Sequence, residues 1–271
     1  MAEDVGALLA AVQLAGHKAI DRLYRDIANA IHAAILRRAT PDARGILRLS
    51  LPARAAILTD LGRELDEARP LLFTAIMESV QEAERVVGIG APALPPRDPA
   101  DAIRPYGIVW RSLGTDRASV VSQTGALLVR GIAAGVAASV VANEVKQFYS
   151  PWFSQYRDEA GKLLHTERAG AVKHWPGRAG MASAHARTVM LTETTAAHSR
   201  TQLGIALYND QLMQYTLSYQ HDHPDECTDL SRADNGFGGG VYTPDSAPRV
   251  PRHPRCRCFY TRVDRPKERA A

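Results

Sequence analysis

The segment IDRLYRDIANAIHAAI, residues 20–35, decides the fold class of the N-terminal part of the chain. Its large apolar residues recur at steps of three or four, and they are Ile20, Leu23, Ile27, Ile31 and Ile35. This spacing places them on one face of an α-helix, a face that must be buried against other elements. The pattern extends back to Val5, so we predict one long helix over Glu3–Arg38 that ends before Pro41.

A second helical pattern runs from Ile57 to Val87, with Pro52 near its start. Leucine, isoleucine and valine again recur at helical spacing there. Pro70 lies inside the pattern and is expected to kink the helix, because proline lacks the amide hydrogen that the helix ladder uses. Two long consecutive helices predict a helical hairpin or bundle over residues 1–90.

Two more helices are predicted beyond a proline-rich stretch. Residues 91–115 are expected to form an extended connector, because prolines are frequent there. Asp116 is a candidate N-cap for a third helix that runs to about Tyr149. A fourth helix is predicted from Ala182 to Asn209.

The third helix contains the best candidate for a membrane span, residues 118–142. This stretch is rich in alanine, glycine and valine, but Gln123, Arg130 and several hydroxyls lower its hydrophobicity below that of a spanning helix. We interpret it as a buried helix and predict no stable membrane insertion.

The hydrophobic period changes in the last sixty residues. Tyr215–Tyr219 and Phe259–Val263 alternate with period two, and a short Val241–Tyr242 pair lies between them. These segments predict a small antiparallel sheet. The expected fold is therefore mainly α, with long N-terminal helices followed by a C-terminal α+β unit in which the fourth helix packs on the sheet.

The composition narrows the class of protein. The chain has 271 residues, 45% of them hydrophobic and 23% charged, which excludes disordered, collagen-like and purely coiled-coil proteins. The net charge of +4 is small for a dedicated DNA-binding protein. Charge is distributed unevenly, because an acidic loop is expected over residues 221–245 and an arginine-rich tail follows it. Acidic Glu3 and Asp4 stand where a secretory signal would carry basic residues, which predicts a cytoplasmic start.

The densest chemical cluster combines three cysteines with nearby histidines. The proposed zinc ligands are Cys227, His253, Cys256 and Cys258, with His223 and His221 in reserve. Thiolate and imidazole suit zinc, and residues two apart in an extended segment project to one side, as Cys256 and Cys258 would. The alternative is that these are buried thiols and a hydrogen-bonded histidine. A disulfide between Cys256 and Cys258 is disfavoured by geometry.

Other polar residues of the C-terminal half are candidates for structural or binding roles. The β-branched run Thr192–Thr195 lies inside the fourth helix, which indicates specific packing or hydrogen bonding. Within that run, Glu193 is expected to form an ion pair with an arginine of the C-terminal arm. The candidate contacts with DNA or a partner protein are Arg249, Arg252, Arg255, Arg257 and Arg262.

We expect no enzymatic activity. The chain has no GxSxG, HExxH or kinase-type motif, and the glycine-rich stretch Asn235–Gly240 lacks the lysine of a phosphate-binding loop. The first alternative is an enzyme. It would be either a metal-dependent hydrolase that uses His221, His223 and Asp225, or an effector domain. The second alternative is a zinc-clamped nucleic-acid-binding module.

The order of these C-terminal motifs resembles the phage Mu F-like minor head proteins, also called phage head morphogenesis proteins. The motifs are Arg187–Thr194, Tyr215–Tyr219, Asp225 with Cys227, a glycine-rich turn before Val241–Tyr242, and Pro251–Cys258. The resemblance covers about Ala118 to Val263, and its most specific element is the ending His-Pro-x-Cys-Arg-Cys. The long loop Asn235–Gly240 departs from the family pattern.

The resemblance implies a low-copy structural component of the virion, located in the head at the portal vertex and assembled in the host cytoplasm. In some relatives the protein is delivered with the genome. The implied partners are the portal protein, a major capsid or scaffold protein, and genomic DNA. Residues 116–263 would form the head morphogenesis domain, residues 1–90 a docking region, and residues 264–271 a polar tail.

Overall fold

The computed structural model describes residues 2–88, 99–149, 156–157, 163–165, 182–217, 224–252 and 256–265. The helices are α1 Ala2–Arg38, α2 Leu51–Gly88, α3 Pro99–Ala133, α4 Ala138–Tyr149, α5 Ala184–Tyr208 and α6 Asp225–Arg232. The strands are β1 Thr40–Pro41, β2 Leu47–Arg48, β3 Tyr156–Arg157, β4 Leu163–His165, β5 Leu212–Thr216, β6 Val241–Tyr242 and β7 Phe259–Val263.

The predicted fold class is confirmed. The described chain is mainly helical, and its C-terminal part carries a three-stranded antiparallel sheet in the order β6-β5-β7. The central strand β5 pairs with β7 over Leu212↔Val263 to Thr216↔Phe259, and with β6 at Met213↔Tyr242. The long helices α1, α2 and α5 lie close to their predicted bounds. The reason is that the apolar spacing and the flanking turn residues indicate the same helix ends.

The chain divides into two compact units, and each combines segments that are distant in sequence. Unit 1 consists of Met1–His17, Thr74–Val109 and Arg187–Ala271, and it contains the sheet. Unit 2 consists of Lys18–Phe73 and Trp110–Ala186. Among the described residues, none of the helices combines the length and the apolar character that a membrane crossing requires.

The predicted connector is wrong from Pro99 onward, because α3 begins there. Proline is well accepted in the first turn of a helix, where its missing amide hydrogen would have no partner. Proline content therefore misled the prediction, while residues 91–98 lie outside the described residues.

The predicted third helix is two helices. The chain breaks between α3 and α4, where Gly135 takes a left-handed φ of 57°, a conformation that ends helices readily. Asp116 is not an N-cap, because it lies inside α3 and is 5% exposed. Its carboxylate accepts a hydrogen bond from the Tyr24 hydroxyl of α1.

Two further local predictions are wrong. The acidic loop expected over residues 221–245 contains α6, which begins at Asp225 with two acidic residues in its first turn. Negative charge there stabilises the amino end of a helix. The first strand of the sheet starts at Leu212 and ends at Thr216, upstream of the predicted Tyr215–Tyr219. Helix α2 continues through Pro70, and the kink expected there stays a prediction.

The buried Tyr24–Asp116 pair joins α1 to α3 inside unit 2. Burial raises the pKa of Asp116, and the Tyr24 hydrogen bond partly opposes that rise. Tyr149 adds a second buried hydroxyl nearby, bonded to Thr124 at 2.8 Å. A polar group deep between helices fixes their relative rotation only if its partner is present.

We expect Tyr24→Phe to lower the free energy of unfolding by about 1–3 kcal/mol, because it leaves the buried Asp116 carboxylate without its donor. Urea unfolding checks this value. The matched control is Tyr208→Phe, since Tyr208 is 67% exposed and should change stability by less than about 0.5 kcal/mol. Equal effects of the two substitutions would contradict a structural role for the pair.

Candidate metal centre

Helix α6 places Cys227 against the sheet. Cys227 is the buried residue of this helix, while Asp225 and Glu226 beside it are exposed. The Tyr242 hydroxyl of β6 donates a hydrogen bond of 2.7 Å to the Leu230 carbonyl of α6. This bond ties the helix to the sheet edge and so fixes the direction in which Cys227 points.

The segment before β7 presents Cys256 and Cys258 on one side. Both cysteines are fully buried, and Arg257 between them is partly exposed. The alternation is that of an extended chain, as the spacing predicted. The register of β7 with β5, Tyr260 opposite Tyr215, fixes where Cys258 enters the core.

The three cysteine sulphurs come together at one point. Their Sγ atoms all lie within 4.8 Å of one another, and all three side chains are buried. A tetrahedral zinc site with Zn–S bonds of about 2.3 Å separates its sulphurs by roughly 3.8 Å, so modest side-chain rotations would complete such a set. The three cysteines are therefore close enough to bind a metal ion, as predicted. His253, His221 and His223 lie outside the described residues.

The surroundings favour the protonated form of the Cys227 and Cys258 thiols when no cation is bound, because both have a raised pKa. Burial raises the pKa of Cys227, and the neighbouring Cys256 thiol raises it further. Contact with Cys256 is the largest cause of the raised pKa of Cys258, and burial follows. The Tyr215 side chain lies against this group, since burial and the thiols of Cys227 and Cys258 raise its own pKa. A bound divalent cation would reverse this situation, because it deprotonates the thiols that it coordinates.

The cysteines sit in an apolar core. The other buried members of this core are Ala206, Met213, Tyr215, Tyr242, Val250 and Tyr260. The rings of Tyr215 and Tyr260 meet edge to face with centroids 5.7 Å apart, and the Tyr260 hydroxyl donates to the Pro248 carbonyl. This environment is consistent both with a closed structural metal site and with the alternative of a purely apolar thiol cluster.

Helix α5 supports the cysteine segment through a buried hydroxyl. The Thr195 hydroxyl donates to the Cys256 carbonyl at 3.1 Å, and the Gln13 side-chain amide of α1 donates to the Thr195 oxygen at 3.2 Å. Thr194 is also fully buried and donates to the Met190 carbonyl. The hydrogen-bonding role predicted for the run Thr192–Thr195 is therefore confirmed.

No protein-family model, curated protein or solved structure matches this chain. The geometry of its own residues therefore carries the functional argument.

The remaining predicted site residues occupy different surroundings. Glu193 is buried, at 9% exposure, and its ion pair with an arginine stays a prediction. Arg249 and Arg252 are exposed, Arg257 and Arg262 are partly exposed, and Arg255 lies outside the described residues. Arg252 is held by Glu226 of α6, with its Nε 2.8 Å from the carboxylate. Glu226 directly precedes Cys227 in the sequence. Its ion pair with Arg252 therefore links α6 to the segment before β7, as the cysteine cluster also does.

Sequence reasoning missed the roles of Tyr215 and His198. Tyr215 stood in a predicted strand, and the alternation of that strand placed it on a buried face but not beside the cysteines. His198 is completely buried on α5, with its ring 5.8 Å from that of Phe259. Neither of its ring nitrogens has a hydrogen-bond partner among the described residues. For His198, the threonines nearby on α5 were the feature of the sequence that could have indicated a buried polar face.

Burial lowers the pKa of His198 to about 4, below the ordinary value near 6.5. The neutral ring is therefore favoured in the folded state, and its stabilising effect is complete above about pH 6.5. We expect stability to fall by roughly 3 kcal/mol as the pH drops from about 6.5 to 4. Chemical denaturation at a series of pH values measures this loss.

The variant His198→Gln should flatten the pH dependence across this interval, because glutamine does not titrate. The control Thr201→Ser changes a partly exposed residue of α5 that does not titrate and should leave the slope unchanged. An unaltered slope in His198→Gln would show that other groups cause the acid sensitivity.

Proposed function

We propose that this protein is a minor head protein of a tailed bacteriophage, a low-copy structural part associated with the portal and the inner head. The observation that carries the proposal is the meeting of Cys227, Cys256 and Cys258 in one buried cluster. These cysteines belong to the motifs that resemble the Mu F-like family. The same motifs supply α5 from Arg187 onward, β5, α6, β6 and β7, all within unit 1.

Within that function, a structural zinc ion clamps α6 to the segment before β7. The three cysteines supply three sulphur ligands, and a histidine among His253, His221 and His223 supplies the fourth. When bound, the ion contributes folding free energy, because the site does not exist in the unfolded chain. Two hydrogen bonds position the segments that carry the cysteines. The Tyr242–Leu230 bond holds α6, and the Thr195–Cys256 bond holds the segment before β7.

Full burial of the sulphurs favours a structural role over a catalytic one. Structural zinc sites are closed by protein ligands, whereas catalytic sites keep a position open to water or substrate. Sulphur-rich sets are also typical of structural zinc. This argument supports the assembly role more than the alternative of a metal-dependent hydrolase, which would need accessible ligands.

The partners that we propose are the portal protein, a major capsid or scaffold protein, and genomic DNA. The exposed guanidinium of Arg249 is available for an acidic partner or a phosphate, while Arg252 is engaged by Glu226. Contacts with DNA would weaken steeply with added salt, because each neutralised phosphate releases counterions.

Elemental analysis of the purified protein is expected to give about one zinc per chain. Cys258→Ser should remove most of the metal and lower the melting temperature, since it deletes a ligand. The control Ser231→Ala changes a half-buried hydroxyl of α6 that donates to Thr228 of the same helix and should retain the zinc. A zinc-free protein that is as stable as the zinc-loaded one would refute the clamp and favour the thiol cluster.

Immunogold labelling of purified phage particles tests the head assignment separately. We expect label at a single vertex of the head in disrupted particles, with few copies per particle. A variant lacking only the polar tail 264–271 should be incorporated normally. Absence of the full-length protein from purified virions would refute the assignment, whatever the outcome of the metal analysis.

A further inference from the structure

The β1–β2 hairpin of unit 2, which joins α1 to α2, is basic and carries exposed apolar side chains. We call residues 37–54 the hairpin tip. They contain five arginines and one aspartate, so their net charge is +4 (5 − 1). Three large apolar side chains of the tip are exposed: Ile46 at 37%, Leu47 at 43% and Leu51 at 63%. Apolar side chains grouped with unmatched charge on a protein surface indicate a binding surface.

The hairpin tip is held in one conformation by its own residues. One carboxylate oxygen of Asp42 accepts hydrogen bonds from the amides of Arg44 at 2.8 Å and Ile46 at 3.0 Å, and the other accepts from Arg48 at 3.0 Å. Gly45 supplies the left-handed φ of 76° that the turn requires. A surface that is already ordered loses little conformational entropy on binding, which favours docking on a protein of fixed shape.

Of the five arginines of the tip, two are in ion pairs, Arg54 is half-buried, and two are exposed for a partner. Arg48 is paired with Asp42, and Arg38 is paired with Asp60 at 2.7 Å. Arg37 and Arg44 are exposed and lie outside these ion pairs. A guanidinium recognises a carboxylate with two parallel hydrogen bonds, so an acidic protein surface is the matching partner.

The chain itself carries a surface of the opposite character, in unit 1. We call residues 225–245 the acidic arm, which comprises α6, the loop after it, strand β6 and the three residues that follow β6. It contains five acidic residues and one arginine, so its net charge is −4 (1 − 5). Glu226 is engaged by Arg252, but Asp225 and Asp229 are exposed one helical turn apart on α6. Phe237 is 39% exposed, in a loop that the Asp234 carboxylate orders by accepting from the amides of Gly236 and Gly238.

We propose that the hairpin tip of one copy binds the acidic arm of a second copy. Arg37 and Arg44 meet Asp225 and Asp229, and the Phe237 ring packs among the apolar side chains of the tip. Opposite charges and exposed apolar groups are thus matched on both sides. The two surfaces differ, and we propose a head-to-tail contact: one copy of a dimer keeps its acidic arm free, the other keeps its hairpin tip free, and further copies can add at either end. This inference does not depend on zinc or on the head assignment.

Sedimentation velocity of the full-length protein tests the contact. The wild type should associate beyond the dimer as concentration rises, and the association should weaken with added salt. The double variant Arg37→Gln, Arg44→Gln should lose association by at least about tenfold in Kd, and so should Asp225→Asn, Asp229→Asn. The control Arg22→Gln, Arg111→Gln removes two exposed arginines elsewhere on unit 2 and should associate like the wild type.

Mixing the two variants gives the sharpest result. The first retains its acidic arm and the second retains its hairpin tip, so an equimolar mixture should form dimers and stop there. Phe237→Ser should also weaken association of the otherwise wild-type chain. A wild type that stays monomeric at all concentrations would overturn the proposal. So would variants that associate like the control, or a mixture that forms no dimers.

Discussion

The meeting of Cys227, Cys256 and Cys258 joins two parts of the chain that lie about thirty residues apart. Their sulphurs lie within 4.8 Å of one another, and the rest of the C-terminal unit is arranged around that point. Helix α6 must pack against β6 to present Cys227, and the segment before β7 must be extended to present the other two.

Helix α5 provides the second constraint, since it is buried along most of its length. Besides apolar side chains, this helix carries hydroxyl, amide and imidazole groups into the interior. Thr195 uses its hydroxyl to hold the cysteine segment, whereas His198 contributes a neutral ring that acid would disturb. Buried polar groups of this kind specify a unique arrangement at some cost in stability.

Much of the fold could be predicted from sequence because the strongest signals were local. The apolar spacing of Ile20 to Ile35 determined α1, and the alternation around Tyr260 determined β7. Predictions failed where one residue type has two uses. Pro99 begins a helix instead of breaking one, Asp116 is a buried hydrogen-bond acceptor and not a cap, and Asp225 begins a helix in what seemed an acidic loop.

The candidate site was predicted in part for the same reason. The spacing of Cys256 and Cys258 determines that both face one side of an extended chain, which is a local property. The approach of Cys227 depends on how α6 packs on the sheet, and the place of Tyr215 beside the thiols depends on strand register. Long-range packing sets both, and no spacing within the sequence reports them.

We propose that the C-terminal part of the chain serves in assembly and that a structural metal closes its cysteine cluster. The measurement that tests this most directly is X-ray absorption at the zinc edge of the purified full-length protein. The account predicts a first shell of three sulphur atoms at about 2.3 Å and one nitrogen at about 2.0 Å. A shell of oxygen and nitrogen without sulphur, or a protein that binds no zinc, would contradict it.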